Sequence, residues 1–369
     1  MTRRSHLRQL DGYRLMTFLL VIFVHVLGAT TFPQDIPSDA LETLLHLTRE
    51  AFFALTAFVL MYGHRDRPLR TGTFWRKRVP LVAVPYVVWS VIYWGYSMVT
   101  AGQPVGSMTG QLRALVIEIA DGTAWYHLYF LLVTLQVYLL FPLLIKLAAV
   151  IRRHPWLVLS ASGALQLAVT TVMSYPPDGV EYSTVSRFFT TLLPYQFYSV
   201  LGAVAAVHFE TVHAWLVGHA RTVVAAVVAT LVVAEVGYFL SVHNGEWPEL
   251  ASDAYRPYVI PWCIAAIAGL YLAGTRWAAS GRGSRVMSWA VDRSFAIFLA
   301  HPLALALLAP LIAYVGDGAG APWTTVVVFP ATLVLTLLIV EVLRRLPWSK
   351  ALTGRAPLGL KRADATVTA

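Results

Sequence analysis

Within the stretch LDGYRLMTFLLVIFVHVLG, residues 10–28, Arg14 and His25 interrupt an otherwise apolar run. An imidazole can take up and return a proton near neutral pH, and a guanidinium grips phosphate or carboxylate oxygens as a fork. On a helix, their spacing of eleven residues amounts to about 1100°, about 20° past three full turns, with about 16.5 Å of rise. Both therefore fall on one face. Taken singly, Arg14 could snorkel to lipid phosphates and His25 could be a hydrogen-bonded core histidine; the shared face points to a polar track along one helix.

Further ionisable groups stand where a bilayer disfavours them. Glu50, in TREAFFALTAFVL, is expected a few residues inside the outer end of a second span, at the depth of His25. There it would orient the imidazole and stabilise its protonated form, as a general base requires. A salt bridge to the neighbouring Arg49 is the other reading. The stretch 64–78 carries Arg65, Arg67, Arg70, Arg76, Lys77 and Arg78. It serves either to anchor the chain on the cytoplasmic side or, in FWRKRVPLVAVPY, to dock a phosphorylated cytosolic compound. In AWYHLYFLLVTLQVYLLFP, Tyr126 and His127 come at an outer helix end, with Gln136 deep within. SFAIFLAHPLAL sets Ser294 near an inner end and His301 at mid-helix, and Pro302 frees a backbone carbonyl there. These five residues are candidates for a substrate-lining cavity. Glu235 and Glu341 face inward without an assignable role, and no residue pattern suggests a bound metal.

The elements that must position these groups follow from composition. Of 369 residues, 57% are hydrophobic and 13% charged, which indicates an integral membrane protein. About 20 apolar residues cross a bilayer. Ten windows satisfy that: 13–32, 45–63, 79–100, 125–147, 156–175, 189–209, 222–242, 257–275, 287–314 and 323–343. The first is read as a retained span rather than a cleaved signal, because it is long, contains His25 and lacks a small-residue cleavage site. The amino terminus with Arg3, Arg4 and Arg8, alternate connectors and the carboxyl terminus together hold 22 of the 28 basic residues. Acids such as Asp35, Glu118 and Asp317 collect on the opposite side. This predicts an all-α polytopic protein with both termini cytoplasmic, its first span running outward. The expectation is a single membrane-embedded domain over 1–369, with 344–369 a short, flexible basic tail. The net charge of +9 is thereby topological and excludes nucleic acid as the partner. The single cysteine, Cys263, forms no disulfide.

Four stretches together resemble the acyltransferase-3 family of bacterial membrane proteins, and the likeness spans nearly the whole chain: LDGYR with its later histidine, REAFFALTAF, FWRKRVPLVAVPY and SFAIFLAHP. The resemblance implies a multi-pass enzyme of the bacterial cytoplasmic membrane. It would move an acyl group, acetyl or another short chain, from acyl-CoA to a hydroxyl of a glycan, lipid-linked sugar or glycosylated metabolite. Acyl-CoA would be a co-substrate, with no cofactor permanently bound. The resemblance further implies His25 as the catalytic residue and Arg14, Arg76 and Arg78 as donor contacts. It strengthens the pairing of Glu50 with His25. Two positions depart from the family pattern. Thr56-Ala57-Phe58 replaces the usual Ser-Gly-Phe, which puts close helix packing there in question, and Phe298 stands where a tyrosine is common. From the intramembrane charges alone, a transporter or flippase with a charge relay is the alternative.

Overall fold

A computed structural model describes residues 7–32, 34–65, 68–100, 106–181, 185, 187–320 and 322–359. Arg3, Arg4, Arg67 and the tail beyond residue 359 lie outside the described residues. Helices account for 82% of the described residues, and no strand occurs among them. The helices are α1 (Gln9–Thr30), α2 (Ile36–Leu45), α3 (Leu47–His64), α4 (Thr71–Thr100), α5 (Met108–Asp121), α6 (Tyr129–Lys146), α7 (Ala148–Arg153), α8 (Pro155–Ser174) and α9 (Gln196–Val207). There follow α10 (Phe209–Gly218), α11 (Ala220–His243), α12 (Pro248–Ala251), α13 (Val259–Ser280), α14 (Ser284–Leu307), α15 (Ala309–Ala319), α16 (Trp323–Leu343) and α17 (Ser349–Thr353).

Among the described residues nine helices, α2 and α3 counting as one, are long and apolar enough to cross a membrane, or ten if α9 and α10 form one broken span. That pair is bent by 95° and replaces the straight sixth span expected over 189–209. The break falls at His208, whose backbone leaves the helical region at φ −105°, ψ 32° and whose Nε2 lies 3.1 Å from the Ile151 carbonyl oxygen. The ninth expected span, 287–314, stops at Leu307 and restarts as α15, because Pro310 has no N–H to continue the ladder. The second begins earlier than expected, at Ile36, with Asp35 capping α2 through the Ser38 amide. A separate helix, α5, was not expected. Ser107 caps its start and Gly122 its end. At Gly122 φ is +80°, and a Cβ would come within 2.9 Å of the Tyr129 Cα, so glycine is required there.

The chain divides into two compact units, Met1–Trp75 with Gln136–Val291 and Arg76–Leu135 with Asp292–Ala369. In the first, small residues set the helix crossings. α1 meets α13 at Gly12, where a Cβ would lie 3.1 Å from the Gly274 Cα. α3 meets α9 at Gly202, where a Cβ would land on the Ala54 carbonyl. The close approach put in question by Ala57 is thus supplied from the facing helix, and Ala57 itself is fully buried. α6 contains Pro142, which leaves the Tyr138 carbonyl without its helical donor, and the Trp75 indole N–H takes it at 3.0 Å.

In the second unit the segment after α16 is docked rather than loose. Trp89 Nε1 donates to the Leu352 carbonyl at 2.8 Å, and the Leu358 amide donates to the Arg344 carbonyl at 2.7 Å. The flexible tail expected from residue 344 is therefore held in place at least as far as Leu358.

Candidate functional site

In the first unit, α1 presents a stripe at helical spacing: Arg14, Phe18, Ile22 and His25. Phe18 and Ile22 are 6% and 1% exposed. Arg14 and His25, at the two ends of this buried stripe, are half-buried. Their common face is consequently an inward one, which is the arrangement their spacing predicts. Partial access at both ends of a sealed apolar stretch suits groups that meet a ligand more than groups sunk in lipid.

Glu50 is buried on α3, and its Oε2 has no hydrogen-bond partner among the described residues. Its depth differs from expectation. Because the span opens at Ile36, Glu50 lies fourteen residues in, about 21 Å if the path were straight, not a few residues from the end. Its neighbours on α3 meet the early part of α1. The Tyr13 hydroxyl donates to the Ala51 carbonyl at 2.8 Å, and the Phe18 and Phe52 rings are 6.1 Å apart, edge to face. These contacts align Glu50 with residues 13–18 of α1, below His25 on the helix. The polar residues of α2 hid this from the sequence. Asp39 is 8% exposed and Thr43 fully buried, covered by neighbours that include Tyr238, which donates to the Ile36 carbonyl at 3.0 Å.

Gln136 has a different task from lining a cavity. Its Nε2 donates to the Thr190 carbonyl and its Oε1 accepts from the Leu192 amide, both at 2.8 Å. Both ends of the carboxamide hold the irregular turn leading into α9.

The second unit contains the remaining candidates. Arg76 and Arg78 are exposed on the first turns of α4, with Lys77 between them, an open cationic surface fit for phosphate oxygens. Tyr126 is half exposed, whereas His127, Ser294 and His301 are 2%, 5% and 0% exposed. His127 and His301 come together, ring centroids 5.6 Å apart at 71°. Phe298 packs against both histidines, and Tyr93 and Tyr126 against His127. Pro302 shapes this centre. It deprives the Phe298 carbonyl of an amide donor, and His301 Nδ1 lies 2.8 Å from that oxygen and 3.2 Å from the Ile297 oxygen. Facing two acceptors, Nδ1 carries the proton, which makes Nε2 the lone-pair nitrogen.

Sequence reasoning left Glu341 without a role, and the structure assigns one. Glu341 pairs with Arg293 Nε, and Asp292 accepts from Arg344 at 2.8 Å. This network of α14 and α16 lies one residue before Ser294. The clue was the coexistence of one cation and one anion in apolar runs, which composition alone does not pair. Among the described residues no cluster of His, Cys, Asp or Glu is able to hold a metal ion.

Compared with known proteins, residues 7–342 match the profile of a family described as an acyltransferase domain, acyltransferase-3. No curated protein and no solved structure matches the chain.

Proposed function

The chain belongs to the acyltransferase-3 family and is a multi-pass membrane acyltransferase; from that premise we propose that it transfers a short acyl group, acetyl or a near homologue, from acyl-CoA to a hydroxyl of a carbohydrate or glycosylated acceptor. The observation that carries this reading is the inward stripe of α1 with Arg14 and His25 half-buried at its ends.

In the proposed reaction the acceptor hydroxyl attacks the thioester carbonyl and passes its proton to the lone-pair nitrogen of His25. The carbon–sulfur bond then breaks, and the coenzyme A thiolate regains a proton from the imidazolium as it leaves. A variant of this route, with the acyl group resting transiently on His25, gives the same products. Arg14, three turns from His25, is a support or donor contact that offers its guanidinium to a donor phosphate, and Arg76 and Arg78, in their own unit, offer an exposed cationic surface to phosphate oxygens. Glu50 acts from a position below His25, as a buried acid that stabilises positive charge along the stripe rather than as a ring partner. Tyr126, His127, Ser294 and His301 contact substrate in their own unit. Both termini lie on the cytoplasmic side of a bacterial inner membrane, the side from which acyl-CoA arrives.

The test is mass spectrometry of cell glycans and secreted metabolites with and without the protein. A product heavier by one acyl group, dependent on the protein, supports the proposal and identifies donor chain and acceptor together. Identical profiles under conditions of verified expression would refute it.

A further inference from the structure

We propose that Tyr93 is a positioning residue for His301: its hydroxyl bridges the backbone ladder of α14 and fixes the turn that aims the His301 ring. The inference rests on the reading of His301 as a substrate-side residue. Three hydrogen bonds carry it. The Leu303 amide donates to the Tyr93 hydroxyl at 3.2 Å, and that hydroxyl donates to the Leu299 carbonyl at 2.8 Å. In an unbroken helix the Leu303 amide would donate directly to the Leu299 carbonyl. The phenol thus stands between a donor and an acceptor that would otherwise close on each other, one residue after Pro302. On the residue before that proline, His301 Nδ1 lies 2.8 Å from the Phe298 carbonyl that the proline frees.

Proline alone removes one donor. The tyrosine adds a spacer in the next rung, so the helix cannot tighten behind His301. The Tyr93 ring is held independently of its hydroxyl. It is fully buried, stacked on Trp125 at 4.8 Å and packed on Trp89 at 5.5 Å. Its edge also meets His127 at 5.3 Å. One side chain therefore touches one histidine of the pair and sets the helix that bears the other. A phenylalanine at 93 would keep the ring packing and lose only the spacer, letting the Leu303 amide return to the Leu299 carbonyl and turning His301.

The experiment uses full-length protein in membranes with labelled acetyl-CoA, following transfer into the glycan fraction. It compares wild type, Tyr93→Phe, His301→Ala and the double variant. The side-chain nitrogen spectra of histidine-labelled protein are recorded in parallel. Tyr93→Phe is expected to lower the maximal rate about tenfold with the half-saturating acetyl-CoA concentration changed by less than about twofold. The double variant is expected to be no slower than His301→Ala alone, and the His301 nitrogen signals to move from the Nδ1-protonated pattern. An unchanged maximal rate, losses that multiply in the double variant, or unmoved His301 signals would each overturn the proposal. If wild type transfers no acetyl, or His301→Ala is as fast as wild type, the functional reading of His301 fails instead. The nitrogen spectra then decide alone: moved signals uphold the coupling of Tyr93 to His301, and unmoved signals refute it.

Discussion

Arg14 and His25 are legible as a pair from their spacing because the helical period is fixed by backbone geometry, and nothing between them interrupts it. The fold adds that their stripe faces inward, with Phe18 and Ile22 sealed between them. Glu50 was legible as a buried acid but not in depth, because Asp39 and Glu42 look like the polar edge of a membrane while tertiary contacts bury the face of α2 that carries Asp39 and Thr43. The Arg293–Glu341 pair was not legible as a pair, since its members are 48 residues apart and their helices' packing decides whether they meet. Arg293 is 7% exposed, so removing Glu341 takes its closest carboxylate from a largely buried guanidinium, Asp292 lying farther off at 3.7 Å. Glu341→Ala should cost about 3 kcal/mol, seen as a lower thermal midpoint in detergent. Replacing both residues, Arg293→Met with Glu341→Leu, should recover most of that loss. A midpoint unchanged by Glu341→Ala would show that the pair contributes nothing.

Helices, more than residues, were readable: the last span, 323–343, coincides with α16 residue for residue. The misread elements share a cause. Apolar runs report burial in lipid or protein, but not where the backbone turns, so the 95° break at His208 and the stop before Pro310 passed as continuous spans. α5 was missed because only Leu115 along it is buried, while Met108, Leu112, Val116 and Ile117 are exposed. Close crossings depend on the partner helix, which is why Ala57 looked like a loss of contact while Gly202 supplied it. Gly202→Ala should drive a methyl into the Ala54 backbone and cost about 2 kcal/mol. Gly95→Ala, where nothing lies within 4 Å, should be neutral or stabilising by up to about 1 kcal/mol. Equal thermal midpoints for the two variants would show that the α3–α9 crossing tolerates a larger residue.

At the scale of the whole molecule, the distribution of arginine and lysine predicts the direction in which the chain is inserted. Cys263 is 1% exposed, so a Cys263→Ser background suits single-cysteine labelling from outside intact cells. An impermeant maleimide should react with Arg113→Cys and Gly318→Cys but not with Arg153→Cys or Arg282→Cys; the reverse pattern would invert the topology and place the Arg76–Arg78 surface away from cytosolic acyl-CoA. The family supplies the reaction class, and the α1 stripe supplies the proposed place where it occurs. The most direct measurement is therefore acyl transfer from labelled acetyl-CoA by membranes containing wild type or His25→Ala at equal folded amounts. Transfer reduced at least about a thousandfold in His25→Ala, with the protein still folded, is the result this account predicts. Transfer at the wild-type rate in His25→Ala would contradict it.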